Sequence, residues 1–176
     1  MAEAARATGG LLLLCCGGTF DKSRFTRSGK FVCGDPAARL LLKEAGVARV
    51  ELVSVLKKDS LDMDDADREL VAAKLLAARQ RAAVVVHGTD TMVETALHLA
   101  QRLGPEPRQT VVLTGAMRPA VFAGSDAAFN LGYACACAQL RPPGAWIAMH
   151  GRCWPAARVR KDRGRLRFTA RRPRRA

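Results

Sequence analysis

The sequence lacks any apolar run that could cross a bilayer. Its first candidate, Leu11–Cys16, is also too short for the core of a signal peptide, so no membrane association and a cytoplasmic location are expected. Cysteine occurs six times (Cys15, Cys16, Cys33, Cys135, Cys137, Cys153), but never at metal-ligand spacing and never as C-x-x-C. That argues against a zinc site and leaves small buried thiols in a reducing compartment. There is no G-x-G-x-x-G and no Walker lysine, so a nucleotide cradle is not indicated. A basic body is missing too. Of the net charge of +13, +10 falls from Arg152 onward, and residues 1–151 are nearly neutral. Nucleic acid is therefore not expected as the main ligand, and the charge reads as an appendage.

At 176 residues the chain suits one domain with a sizeable core. Short apolar segments alternate with helical patterns. Strands are expected at Leu11–Cys16, Val50–Leu56, Ala82–Val86, Thr110–Leu113 and Trp146–Met149. Helices are expected from Asp35-Pro36 (a cap followed by proline) to Glu44, after the acidic turn Asp62–Asp67, over Met92–Leu103 and over Asp126–Leu140. Residues 19–34 read as a mobile polar loop, and 164–176, ending in RRPRRA, as a disordered basic tail. Strands that are apolar on both faces and alternate with helices predict an α/β fold: an open, mostly parallel sheet with helices on both faces.

In such sheets ligands bind beyond the carboxyl ends of the strands. There the sequence places Gly17-Gly18-Thr19, Lys58-Asp59-Ser60, Gly88-Thr89-Asp90-Thr91, Thr114-Gly115-Ala116-Met117 and, more distantly, Lys161. Hydroxyls, a carboxylate and an amine without a metal cluster point to nucleophilic chemistry on a carbonyl, with no cofactor.

These segments carry a resemblance. LLLLCCGGTFDK, VVVHGTDTMVETA and VVLTGAMRP followed by SDAAFNL, with KKDSLDM matching more weakly, resemble the bacterial-type L-asparaginases over roughly residues 11–163. The likeness is to the shortened, single-domain form, similar to the N-terminal catalytic domain, so a catalytic domain over 9–163 is expected. The resemblance implies an L-asparagine amidohydrolase, yielding aspartate and ammonia, in a homo-oligomer that takes a small amino-acid substrate. It implies Thr19 as nucleophile and Thr89, Asp90 and Lys161 as the group that handles protons and the attacking water. Asp90 would also hold the substrate ammonium and Ser60 its carboxylate, while Gly88 lets the backbone approach the substrate. His87, His98 and His150 are expected to be structural, with Asp126 and Asn130 supporting the site.

The chemistry agrees with these roles. A threonine hydroxyl is hardly ionised at neutral pH and needs a proton acceptor within reach. Backbone N–H groups in a glycine turn at a helix start suit the carbonyl oxygen as it gains charge. Two departures weaken substrate enclosure. The loop DKSRFTRSGKF has no tyrosine where relatives carry one, and Leu61 stands where many have a polar residue. Weak binding of Asn is the expectation. Two other readings stay open: a glutaminase-type amidohydrolase linked to a tRNA-dependent amidotransferase, its basic tail touching RNA, and a catalytically idle binding module.

Overall fold

The computed structural model describes residues 10–171. In chain order its strands are β1 (Leu11–Gly17), β2 (Lys22–Phe25), β3 (Phe31–Cys33), β4 (Val50–Lys58), β5 (Ala82–Val86), β6 (Thr110–Thr114), β7 (Gly144–Met149), β8 (Arg152–Pro155), β9 (Val159–Asp162) and β10 (Arg167–Ala170). Its α-helices are α1 (Ala38–Glu44), α2 (Asp65–Ala77), α3 (Met92–Leu103) and α4 (Ala127–Leu140). The five expected strands form one parallel sheet in the order β4-β1-β5-β6-β7, and β8 adds an antiparallel edge. The predicted α/β architecture is present.

Every residue of β1 is buried, and its two-residue period explains why. Leu11, Leu13 and Cys15 join Leu42, Val84, Val112 and Leu131 on the face covered by α1 and α4. Leu12, Leu14 and Cys16 join Val71, Leu75, Leu99 and Leu113 on the face covered by α2 and α3. A strand covered on both sides has no polar face, hence the unbroken run of leucines. Each such side chain stabilises the fold by about 1.5–3 kcal/mol.

Three segments differ from the sequence expectation. Residues 19–34 are not an open loop: a 3-10 turn over Thr19–Asp21 leads into the antiparallel pair β2–β3. Asp35 does not cap α1. Its carboxylate meets Lys57 at 2.7 Å in the open, and Asp21, buried at the end of the 3-10 turn, accepts the Ala37 N–H at 2.9 Å instead. A carboxylate shut away from water must find a donor within the protein, and the free N–H groups at a helix start supply one.

The third difference concerns the basic end. The disorder expected from 164 onward is corrected as far as residue 171, because β10 pairs with β9 and sets Phe168 opposite Lys161. Phe168 is only 4% exposed and lies in the core beside Ile147 and Met149. The Arg171 N–H closes the hairpin on the Arg158 carbonyl at 2.9 Å. One ring among arginines is enough to dock the strand, since their long side chains can keep their charges in water. Residues 172–176 of the expected tail lie outside the described residues.

Candidate active site

The carboxyl ends of β1, β4, β5 and β6 meet through backbone contacts that only glycine permits. Gly18, at φ 76°, lies so close to Gly88 that a Cβ on it would overlap the Gly88 backbone. Gly88 in turn presses on the Ser60 side chain, where a Cβ would come within 2.5 Å of the hydroxyl. A side chain at either position would push the turns apart. Thr19, Ser60 and Thr89 are thereby drawn to one edge of the sheet.

Beneath them the supports are hydrogen-bonded and buried. His87 has no exposed surface; its Nδ1 lies 2.8 Å from the Gly88 carbonyl and its Nε2 3.0 Å from Thr95 Oγ1. A carbonyl only accepts, so Nδ1 carries the proton and Nε2 accepts from the threonine. Burial pushes this ring down to about 4, leaving it a neutral brace as expected. Asp126 accepts the Met117 N–H at 3.0 Å and the Arg118 N–H at 3.1 Å. Asn130 donates to the Gly115 carbonyl at 3.0 Å and accepts the His150 N–H at 3.1 Å. These two side chains hold the turn after β6.

The tightest polar cluster spans the greatest sequence distance. The Lys161 amine, on β9, donates to Thr89 Oγ1 at 2.7 Å and to Asp90 Oδ1 at 2.8 Å. Its side chain is 9% exposed, whereas that of Asp90 is 37% exposed and open to a ligand. An amine, a hydroxyl and a carboxylate so arranged can pass a proton among themselves and still offer the carboxylate to a cation. Thr19, half-buried, begins the turn after Gly18. Ser60 is sealed at 1% exposure, and its hydroxyl finds no hydrogen-bond partner among the described residues.

Two residues the sequence reading passed over also stand here. Asp21, two positions beyond Thr19, is 2% exposed, and burial pushes its carboxyl up to about 6 against the pull of the Ala37 and Gly17 N–H groups. Lys22 crosses from β2 to the turn after β4, meeting Asp59 at 2.7 Å. A charged residue directly after an apolar strand end and its turn was the available signal for both. A separate cavity of about 420 Å³, lined by Arg79, Arg81, Glu106 and Arg108 among others, contains none of the strand-end residues. Among the described residues no group of three or more His, Cys, Asp or Glu is placed to hold a metal.

The family description Asparaginase, N-terminal, matches residues 10–170. The chain belongs to the asparaginase family. Among solved structures, the thermostable L-asparaginase from Thermococcus kodakarensis superimposes with a TM-score of 0.76 at 30% identity, over 91% of this chain and 50% of that one. A probable cytoplasmic L-asparaginase from Campylobacter jejuni gives 0.75 at 28% identity, over 93% and 53%. A glutamyl-tRNA(Gln) amidotransferase subunit from Aeropyrum pernix is 39% identical over 116 residues, 63% of this chain and 26% of that protein. This asparaginase-family chain thus spans about half the length of the solved neighbours and about a quarter of the amidotransferase polypeptide. No described helix is long and apolar enough to cross a membrane.

Proposed function

We propose that the chain hydrolyses the side-chain amide of L-asparagine to aspartate and ammonia. The observation that carries this is the Lys161 amine held at 2.7 Å from Thr89 Oγ1 and 2.8 Å from Asp90 Oδ1, on the sheet edge that also bears Thr19. The family membership and the L-asparaginase neighbours support it. The Thr19 oxygen attacks the amide carbonyl, its proton is passed to the amide nitrogen, and the C–N bond breaks to release ammonia and leave an acyl-enzyme ester. The Thr89–Lys161–Asp90 group then takes a proton from water as the water oxygen attacks the ester, and that proton is delivered to the Thr19 oxygen as the ester C–O bond breaks, which frees the acid and regenerates the hydroxyl. Asp90 also meets the substrate ammonium, Gly88 gives the backbone room, and the turn at Ser60 receives the substrate carboxylate.

The test is ammonia release from Asn, Gln and D-Asn by the purified protein and its variants. Asn should be the substrate, and Thr19→Ala and Thr89→Ala should each remove nearly all turnover. The double variant should be little worse than either, because groups that act as a unit are not additive. More than roughly a tenth of wild-type turnover in Thr19→Ala would rule out the nucleophile.

The likeness to the glutamyl-tRNA(Gln) amidotransferase polypeptide favours a second reading. In it the chain is a glutaminase-type amidohydrolase serving such a complex, with the basic end near RNA. Ammonia from Gln in preference to Asn would favour it. Self-association belongs to the first reading, supported by an outer face of α4 that exposes Phe129 and Leu140 and carries no charge; sedimentation would reveal it. A cytoplasmic location fits the six free thiols and the name of the Campylobacter neighbour.

A further inference from the structure

The turn after β4 poses a problem for recognition of the substrate carboxylate. Ser60, the residue there with a hydroxyl to offer, is 1% exposed and pressed against Gly88. Leu61, the next residue, turns an apolar side chain into solvent at 66% exposure. Neither presents a positive charge. Lys22 does. Its side chain is 24% exposed and its amine lies 2.7 Å from Asp59 Oδ2, on the residue before Ser60. The other oxygen of Asp59 is engaged by the Leu61 N–H at 3.2 Å, so this carboxylate is fixed to the turn and aims the amine.

Three further facts place the Lys22 amine at the site rather than on its rim. Its strand partner Cys33 donates from the thiol to the Gly18 and Lys58 carbonyls at 3.4 and 3.6 Å, which seats the base of the β2–β3 hairpin over the ends of β1 and β4. Lys22 follows directly on the Thr19–Asp21 turn. Asp59 holds the amine charged against the cost of its partial burial, and the Asp90 carboxylate adds a smaller pull in the same direction. An ammonium has three donors, and Asp59 takes one of them.

We propose that Lys22 is a substrate-binding residue, its ammonium receiving the α-carboxylate of the amino acid beside Ser60 while Asp59 orients it. This rests on the amidohydrolase reading and assigns the residue that selects for a free α-carboxylate. The zwitterionic substrate is bracketed between opposite charges: Asp90, paired with Lys161, faces its ammonium, and Lys22, paired with Asp59, faces its carboxylate.

The experiment compares L-asparagine with its α-carboxamide, which keeps the scissile amide and loses the charge. Wild type should favour asparagine. Lys22→Met should raise KM for asparagine about ten- to a hundred-fold, the value of one charge-assisted hydrogen bond, and should leave KM for the carboxamide where it was. Asp59→Asn keeps the ammonium and an acceptor for the Leu61 N–H but loosens the aim of the amine, so KM for asparagine should rise clearly less than in Lys22→Met. Equal losses in the two variants would show that the pair is only a clamp and overturn the proposal. So would an unchanged KM in Lys22→Met. L-aspartate binding to Thr19→Ala by calorimetry, with and without Lys22→Met, needs no turnover. If wild type releases no ammonia but Lys22→Met weakens aspartate ten-fold or more, the carboxylate contact stands and the amidohydrolase reaction falls. Absence of aspartate binding to Thr19→Ala would overturn the contact itself.

Discussion

Two hairpins rise from the same sheet edge and are held in opposite ways. The β9–β10 hairpin is anchored from beneath, with Val159 at 1% and Phe168 at 4% exposure in the main core. Above that anchor, Lys161 reaches Thr89 and Asp90. The β2–β3 hairpin is polar at its base, tied by Asp21, Lys22 and Cys33, and aromatic at its tip, where Phe25 stacks on Phe31 with ring centres 4.6 Å apart and stays 68% exposed. Apolar burial beneath β9 and β10 fixes the strand that carries Lys161. Polar ties at a base leave the outer part of the other hairpin dependent on surface contacts.

Cutting the chain should break this comparison most sharply. Ending it after residue 163 removes β10 and with it Phe168, the partner strand opposite Lys161. Loss of the buried ring alone costs roughly 3–5 kcal/mol, and turnover should fall by about a hundredfold or more as Lys161 loses its seat. Ending it after residue 171 should leave both unchanged. Urea unfolding and ammonia release on the two truncated chains are the measurements, and an active, stable chain ending at 163 would show that β9 needs no partner.

A point change isolates the same effect. Phe168→Ala should lower stability by about 3 kcal/mol and turnover about tenfold, with KM nearly constant, as the proton-transfer role proposed for the Lys161 amine requires. Loss in KM with turnover intact would instead make Lys161 a binding group.

The parts of the molecule that could be read in sequence share one property: their signal is local. β1, β5 and β6 are unbroken apolar runs, and the α3 bounds Met92–Leu103 coincide with the expected ones because Gly104 ends the helix sharply. Thr89 and Asp90 follow directly on such a run. Lys161 depended on the family resemblance, since nothing near it in sequence distinguishes it from the neighbouring basic residues. The hairpins were missed for a matching reason. β10 has a single buried ring in Arg-Phe-Thr-Ala, so no periodicity marks it, and its stability comes from a core built by residues far away in the chain. Asp35 misled because its local capping signal was sound, but a buried carboxylate from another element took the position.

The two regions also titrate in opposite senses. Asp21, at the base of the β2–β3 hairpin, is pushed up to about 6, so its contribution to stability is full below its ordinary value near 4 and lost as pH rises to about 6. His87, beneath Thr89, is pushed down to about 4. Its contribution is full above about 6.5 and lost as pH falls to about 4. Each spans about 3 kcal/mol, and between pH 4 and 6 they offset one another. Relative to wild type at each pH, Asp21→Asn should therefore gain stability and His87→Gln lose it as pH rises across that window. Parallel curves for both variants would mean that neither group changes protonation on folding.

The smallest effect belongs to the tip of the exposed hairpin. Phe25 buries little of its ring, and its stacking on Phe31, which in turn faces Phe122 at 5.9 Å, is worth about 0.5–1.5 kcal/mol. Phe25→Ala should thus lower global stability by at most about 1 kcal/mol, far less than Phe168→Ala, although both remove a phenyl group from a hairpin. The local consequence should be larger than the global one. Phe25 backs the Phe31 ring that faces Phe122 in the loop after β6, so its loss should loosen the tip and speed amide exchange at Thr26 and Gly29, whose hydrogen bonds close it. Exchange at Phe168 should not change. If Phe25→Ala instead destabilises the whole fold by about 3 kcal/mol, the cost of a buried ring, the outer hairpin is as firmly docked as β9–β10, and the contrast between a core-anchored hairpin and one held by surface contacts at its tip fails.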